Sequence, residues 1–204
     1  MQNVRIHQFE KLEFGDPRSY LTALREFELD VAASSTPERI KSLRTNALKP
    51  ERETRDAAIF CVGMSERIGF DIQFAPVEAQ DFDFVTTWLD DEGIRHYCPV
   101  QLKEVVPPKL NAQVTLQSVI DGLTRYADSG DVTVAIKINR PIRFDPTEME
   151  LPPRLQIGGL WIFAAVSPDQ SEFGLWGDFL SKGELTYGTR FRYPLGLPRA
   201  QLPA

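Results

Sequence analysis

The chain has 204 residues, 42% of them apolar and 25% charged, with a formal net charge of −6. This is the length and balance of one well-packed globular domain with room for a helical extension. It excludes a generally basic nucleic-acid binder, so any affinity for nucleic acid has to come from a local patch. No stretch approaches the ~20 apolar residues of a membrane-spanning helix. The first residues have no signal-peptide core, and both features predict a cytoplasmic protein without a membrane partner. Cys61 and Cys98 cannot form a disulfide framework or a zinc quartet. Both sit in apolar runs and are expected to be buried and reduced.

The acidity is uneven. Residues 1–131 carry 15 basic and 22 acidic side chains, net −7, and residues 132–204 carry 8 and 7, net +1. Between Glu66 and Glu92, eight acids face one base, Arg67. Such an excess attracts a metal ion and repels phosphate until a metal neutralises it.

In chain order, residues 1–15 read as a loop or short edge strand. Asp16 is a good N-cap and Pro17 a good first residue for a helix running to about Ala33. Thr36-Pro37 opens a second helix with Ile40, Leu43 and Leu48 on its apolar side, and the two together predict an N-terminal helical hairpin. Pro50 starts a third helix, broadly apolar from Ala57 to Ile68 and ended by Gly69. Glu53, Asp56 and Glu66 on it read first as exposed helix charges. Phe70–Phe74 alternates as a strand.

Phe82, Phe84, Thr86 and Trp88 alternate with Asp83, Val85 and Thr87, again a strand period. Asp90-Asp91-Glu92-Gly93 forms a turn, with Gly93 supplying a positive φ. The chain returns through Tyr97–Lys103, where Pro99 has to lie at a strand start or an edge. Period 2 puts Gln101 and Lys103 on one face, and Asp83 can lie beside them on the neighbouring strand. A carboxylate, an amide carbonyl and an ammonium then converge. The two oxygens suit Mg²⁺, and the lysine can orient or deprotonate a water or steady a phosphate. An ordinary hairpin with exposed charges is the alternative. His96 reads as a base near the hairpin or as a half-exposed strand histidine.

The prolines of Val105–Asn111 make a loop, in which Lys109 can meet a phosphate or remain solvated. Residues 113–128 have the helical period. Val132–Ile138 is a nearly continuous apolar strand, expected at the centre of a sheet, and hairpin, helix and strand make the crossover of an α/β layer. Lys137, Arg140 and Arg143 follow as the best basic cluster; a solvated strand end is the alternative. Residues 144–158 read as a surface linker and Leu160–Val166 as a buried strand. Ser167 opens a loop or short helix that holds Phe173, Leu175, Trp176, Phe179 and Leu180. Tyr187–Tyr193 is a strand with Arg190 and Arg192 on its wet face. No Gly-rich phosphate loop, nucleophile elbow or His-x-x-x-His motif occurs.

An acid on one strand followed by an acid-x-Lys motif on the next resembles the PD-(D/E)XK nuclease superfamily, the restriction-endonuclease-like fold. Asp83 matches the first acid and Gln101-Leu102-Lys103 the second motif, with Gln101 where the family has Asp or Glu. The resemblance covers roughly residues 50–140. It implies a mixed sheet flanked by helices in a nuclease-like α/β core (50–194); the residues outside that core read as an N-terminal helical extension (1–49) and a proline-rich, flexible tail (195–204). Its functional implication is Mg²⁺-dependent phosphodiester hydrolysis on DNA or RNA. Asp83, Gln101, Lys103 and, from the preceding helix, Glu53 are the implied catalytic residues, and Asp83 and Gln101 the implied metal ligands. Lys109, Gln117, Lys137, Arg140 and Arg143 are then the expected nucleic-acid contacts. Gln117 and Tyr126 are similar to a Gln–Tyr pair that some members carry on the helix after the lysine strand. A homodimer is a further expectation. The rival is a binding or regulatory protein that keeps the fold without catalysis, which Gln101 and the acidic surface favour.

Overall fold

The computed structural model describes residues 2–33, 49–77, 79, 81–126, 129–181 and 188–193. Among them are four α-helices, α1 (Gln2–Phe9), α2 (Pro17–Ala33), α3 (Lys49–Ile68) and α4 (Leu116–Asp121). The seven strands are β1 (Gln73–Pro76), β2 (Phe84–Leu89), β3 (Arg95–Val105), β4 (Ser129–Ile138), β5 (Ile157–Ala165), β6 (Glu172–Trp176) and β7 (Thr189–Arg192). All seven form one sheet in chain order. β3, β4 and β5 are mutually parallel, and every other neighbouring pair is antiparallel. No helix among the described residues is long and apolar enough to cross a membrane.

The apolar run Val132–Ile138 lies in the fourth of the seven strands and is buried throughout. This follows from its composition, because a strand covered on both faces needs no polar alternation. One face carries Phe84, Val100, Ala135, Phe163 and Phe173 under α3; the other carries Val134, Ile136, Leu160 and Ile162 under α4 and the segment 144–155. Helices therefore cover both faces, as expected. Gly69 ends α3 at φ 78° and Gly93 turns the β2–β3 hairpin at φ 76°, both as the sequence predicts. Asp16 caps α2 by accepting the N–H groups of Arg18 (3.2 Å) and Ser19 (2.9 Å). Pro99 falls inside β3 but before its pairing with β4 begins at Val100, where a missing N–H costs nothing.

Three expectations are corrected. Residues 2–9 form a helix, not a loop or strand. Val4 and Ile6 are two apart, which suits a strand, but Ile6 and Phe9 are three apart, the helical spacing, and Phe9 is buried between Phe82 and Tyr97. The edge-strand character survives only in the single bridge from Gly15 to Phe74. The helix expected over 113–128 is confined to Leu116–Asp121, capped by Thr115, and tightens into a 3₁₀ turn at Gly122–Arg125. Residues 172–176 form β6 rather than a loop or helix. Phe173 and Leu175 alternate under α3, while the apolar residues Trp176, Phe179 and Leu180 pack on the opposite side and mask the period. The second helix of the N-terminal hairpin, Tyr187 and the tail 195–204 lie outside the described residues.

α3 approaches the sheet so closely at Gly63 that a Cβ there would sit 2.7 Å from Phe191 Cε1 and 3.3 Å from Leu175 Cδ2. Gly63→Ala is expected to lower stability by ~1–3 kcal/mol, the usual cost of overpacking, despite alanine's better helix propensity. Urea unfolding checks this; a more stable variant would show that the helix can back away freely.

Candidate functional site

The site grows from the β2–β3 hairpin. Its register pairs Phe84 with Val100 and Trp88 with His96. Asp83 stands just ahead of β2, anchored by its N–H to Val100 O (2.9 Å) and its carbonyl to Val77 N (3.0 Å). Its carboxylate accepts the Leu102 N–H at 2.6 Å and a hydrogen bond from the Gln101 side-chain amide. Gln101 is buried, 8% exposed, and its Nε2 also donates to Leu102 O (3.2 Å). In β3, Gln101 and Lys103 are in register with Val134 and Ile136, both of the core beneath α4. The half-buried Lys103 carries its ammonium over the ring of Tyr126, 5.5 Å from the centroid.

Glu53 lies in the first turns of α3, in an ion pair with Lys49 at 3.3 Å. Together with Asp83, Thr54, Pro50, Pro76 and Val77 it lines a cleft of about 210 Å³. Asp83 and Gln101 are thus joined directly, Glu53 shares the cleft with Asp83, and Lys103 stands one pleat beyond Gln101. The oxygen donors are the Asp83 carboxylate and the Gln101 amide carbonyl beside it; Glu53 lines the cleft, whereas Gln101 does not. No cluster of three or more His, Cys, Asp or Glu suited to a metal occurs among the described residues. Hard oxygens in this number fit Mg²⁺ or Mn²⁺, which keep several waters of their own.

The expected nucleic-acid contacts fare differently. Lys137 is not a surface cation: it is 6% exposed, and its Nζ meets Asp56 Oδ1 at 2.5 Å. Asp56, accordingly, is no exposed helix charge; it is buried against the sheet. Burial pushes the Lys137 ammonium below its ordinary pKa, against the opposing pull of Asp56. Arg140 is spent on the fold, donating from Nε to Val106 O and from Nη2 to Asn111 O, both at 2.7 Å, which ties down the loop after β3. Gln117 donates to Asp121 Oδ1 and Glu150 O, each at 2.8 Å, and so holds the segment 144–155. Lys109 and Arg143 are exposed. Glu66 pairs with Arg18 at 3.0 Å.

His96 serves the turn, with Nε2 2.7 Å from Asp90 Oδ2 and its ring stacked on Trp88. It lies four residues from Val100, roughly 13 Å along the strand from the Asp83 end. Burial pushes the thiols of Cys61 and Cys98 above their ordinary pKa, so neither supplies a nucleophile at neutral pH. The sequence reading overlooked the Asp56–Lys137 pair and Arg125, whose guanidinium lies 5.3 Å from the Tyr126 centroid. The one available signal was a lysine inside an otherwise apolar strand.

Comparison with family models, with curated proteins and with solved structures finds no match to this chain. The functional reading therefore rests on the chain's own residues.

Proposed function

We propose that the protein is a metal-dependent phosphodiester hydrolase of the restriction-endonuclease-like, PD-(D/E)XK type, acting on nucleic acid. One observation carries the reading: the Asp83 carboxylate bonds the Gln101 amide, and Lys103 follows one pleat along the same face. Glu53, the acid expected from the preceding helix, lines the same cleft as Asp83. Asp83 and the Gln101 carbonyl would hold Mg²⁺, which would supply Lewis-acid activation of the phosphodiester when bound. Lys103 orients the attacking water and stabilises the charge that develops on the phosphate. The Leu102 N–H fixes the Asp83 carboxylate, so its position does not depend on a flexible side chain.

Incubation with single-stranded, double-stranded and branched DNA and RNA in Mg²⁺ or Mn²⁺ tests the reading. Metal-dependent cleavage is the expected result, and its absence on every substrate removes the enzyme. Gln101→Glu adds a charge at the ligand position and is expected to tighten Mg²⁺ binding about tenfold, ~1.4 kcal/mol. Calorimetry showing unchanged metal affinity would remove Gln101 from the ligand set.

A second reading, a binding protein on the same fold without catalysis, has its own observation. Lys137, Arg140 and Gln117 are consumed inside the fold, which leaves little basic surface. If wild type does not cleave, binding through Lys109, Arg143, Arg190 or Arg192 that weakens steeply with salt supports a nucleic-acid binder. Salt-indifferent binding points to a protein partner.

A further inference from the structure

We infer that Lys103 and Arg125 form a phosphate-binding subsite gathered on the ring of Tyr126. Tyr126 follows the 3₁₀ turn Gly122–Arg125, and its ring packs with the core beneath α4. The Lys103 ammonium lies 5.5 Å from the ring centroid and the Arg125 guanidinium 5.3 Å from it. Arg125 Nη2 also reaches the Tyr126 hydroxyl at 3.5 Å. Two cations sharing one ring repel each other, and a cation–π contact offsets only part of that. In a chain of net charge −6 the expected remedy is a carboxylate. Arg18, Lys49, Lys137 and Arg192 each have one, in Glu66, Glu53, Asp56 and Glu172. Among the described residues, neither Lys103 nor Arg125 has an ion pair or a carboxylate hydrogen bond.

Asp121, at the start of the turn, is bonded to the Gln117 amide. Two cations held at one aromatic ring, with no carboxylate partner among the described residues, are complementary to an anion with several acceptor oxygens. Arginine adds the fork geometry that a phosphate fits. Gln101, two residues before Lys103, bonds Asp83, so the pair stands about 7 Å along the strand from the oxygen donors. As the substrate phosphate's clamp, the subsite rests on the hydrolytic reading; as an anion site, it does not. Tyr126 is a positioning residue that orders both cations.

The test uses the full-length protein at low salt without metal, with inorganic phosphate followed by phosphorus NMR and a short single-stranded oligonucleotide followed by calorimetry. Arg125→Gln is expected to weaken both ligands about tenfold and to lower the salt dependence of oligonucleotide binding by about one phosphate contact. Tyr126→Leu is expected to do the same, with Tyr126→Phe restoring most of the affinity, whereas Arg95→Gln, exposed at the far end of β3, changes neither. Phosphate bound through Arg125 but not displaced by the oligonucleotide identifies a free-phosphate or nucleotide ligand on the same subsite. If wild type cleaves nothing yet loses phosphate in Arg125→Gln, the subsite stands and hydrolysis falls. If wild type cleaves and Arg125→Gln leaves kcat/KM and phosphate binding unchanged, the subsite is overturned and hydrolysis stands. Absence of phosphate binding to wild type overturns it as well.

Discussion

Asp56→Ala is expected to destabilise the protein by about 3–5 kcal/mol, the cost of leaving one buried charge without its partner. Lys137 sits in the central strand β4 and Asp56 on the inner face of α3, each with under a tenth of its side chain exposed. Water cannot replace the lost carboxylate at that depth. Exchanging both, Asp56→Leu with Lys137→Met, removes the two desolvation costs together and is expected to come within about 1.5 kcal/mol of wild type. Urea unfolding at unchanged m-value measures both. A loss below ~1 kcal/mol for Asp56→Ala would mean that Lys137 reaches solvent.

The pH dependence has a definite sign. Burial lowers the folded pKa of Lys137 below the unfolded value, so between the two the unfolded chain binds more protons. Stability therefore rises with pH through that window, and the penalty is fully present below the folded pKa. Asp56 opposes the lowering, so its removal drops the folded pKa further and widens the window. Asp56→Asn is thus expected to recover stability relative to wild type as pH is raised towards the ordinary lysine range. A deficit that does not change with pH would show that Lys137 keeps its proton by another route.

Under the hydrolytic reading, Lys103→Ala and Asp83→Asn each lower metal-dependent cleavage by on the order of 10²–10³-fold, ~3–4 kcal/mol of transition-state stabilisation. The choice of asparagine matters. Its amide oxygen can still accept the Leu102 N–H, whereas alanine would strand that donor at a cost of ~1–3 kcal/mol unrelated to catalysis. Lys103→Ala loses its contact with Tyr126, worth about 0.5–1 kcal/mol at most. Thermal melts of both variants should accordingly stay within roughly a few degrees of wild type. Full activity in Lys103→Ala would take the lysine out of the reaction, and a collapsed melt in Asp83→Asn would make Asp83 a residue of the fold first.

The alternation of Phe84 to Trp88, the Gly93 turn and the return through Lys103 were legible from residue order alone. So was the shared face of Gln101 and Lys103, because a strand's period of two is a property of the backbone. Asp16 and Gly69 marked helix ends through groups that act within a few residues. The buried run Val132–Ile138 announced a central strand by being nearly continuous in apolar residues.

Period says which face a side chain takes but not what covers that face, and that was left to the tertiary structure. Lys137 read as a surface cation until α3, 81 residues away, laid Asp56 over it. Arg140 read as a free guanidinium until the carbonyls of Val106 and Asn111 took up its donors. Glu53 and Asp56 are one helical turn apart, and only the way α3 sits on the sheet sends the first to the cleft beside Asp83 and the second into the interior. Long-range packing decides such cases because a charge in the interior needs a partner delivered by another element, and no local rule specifies one.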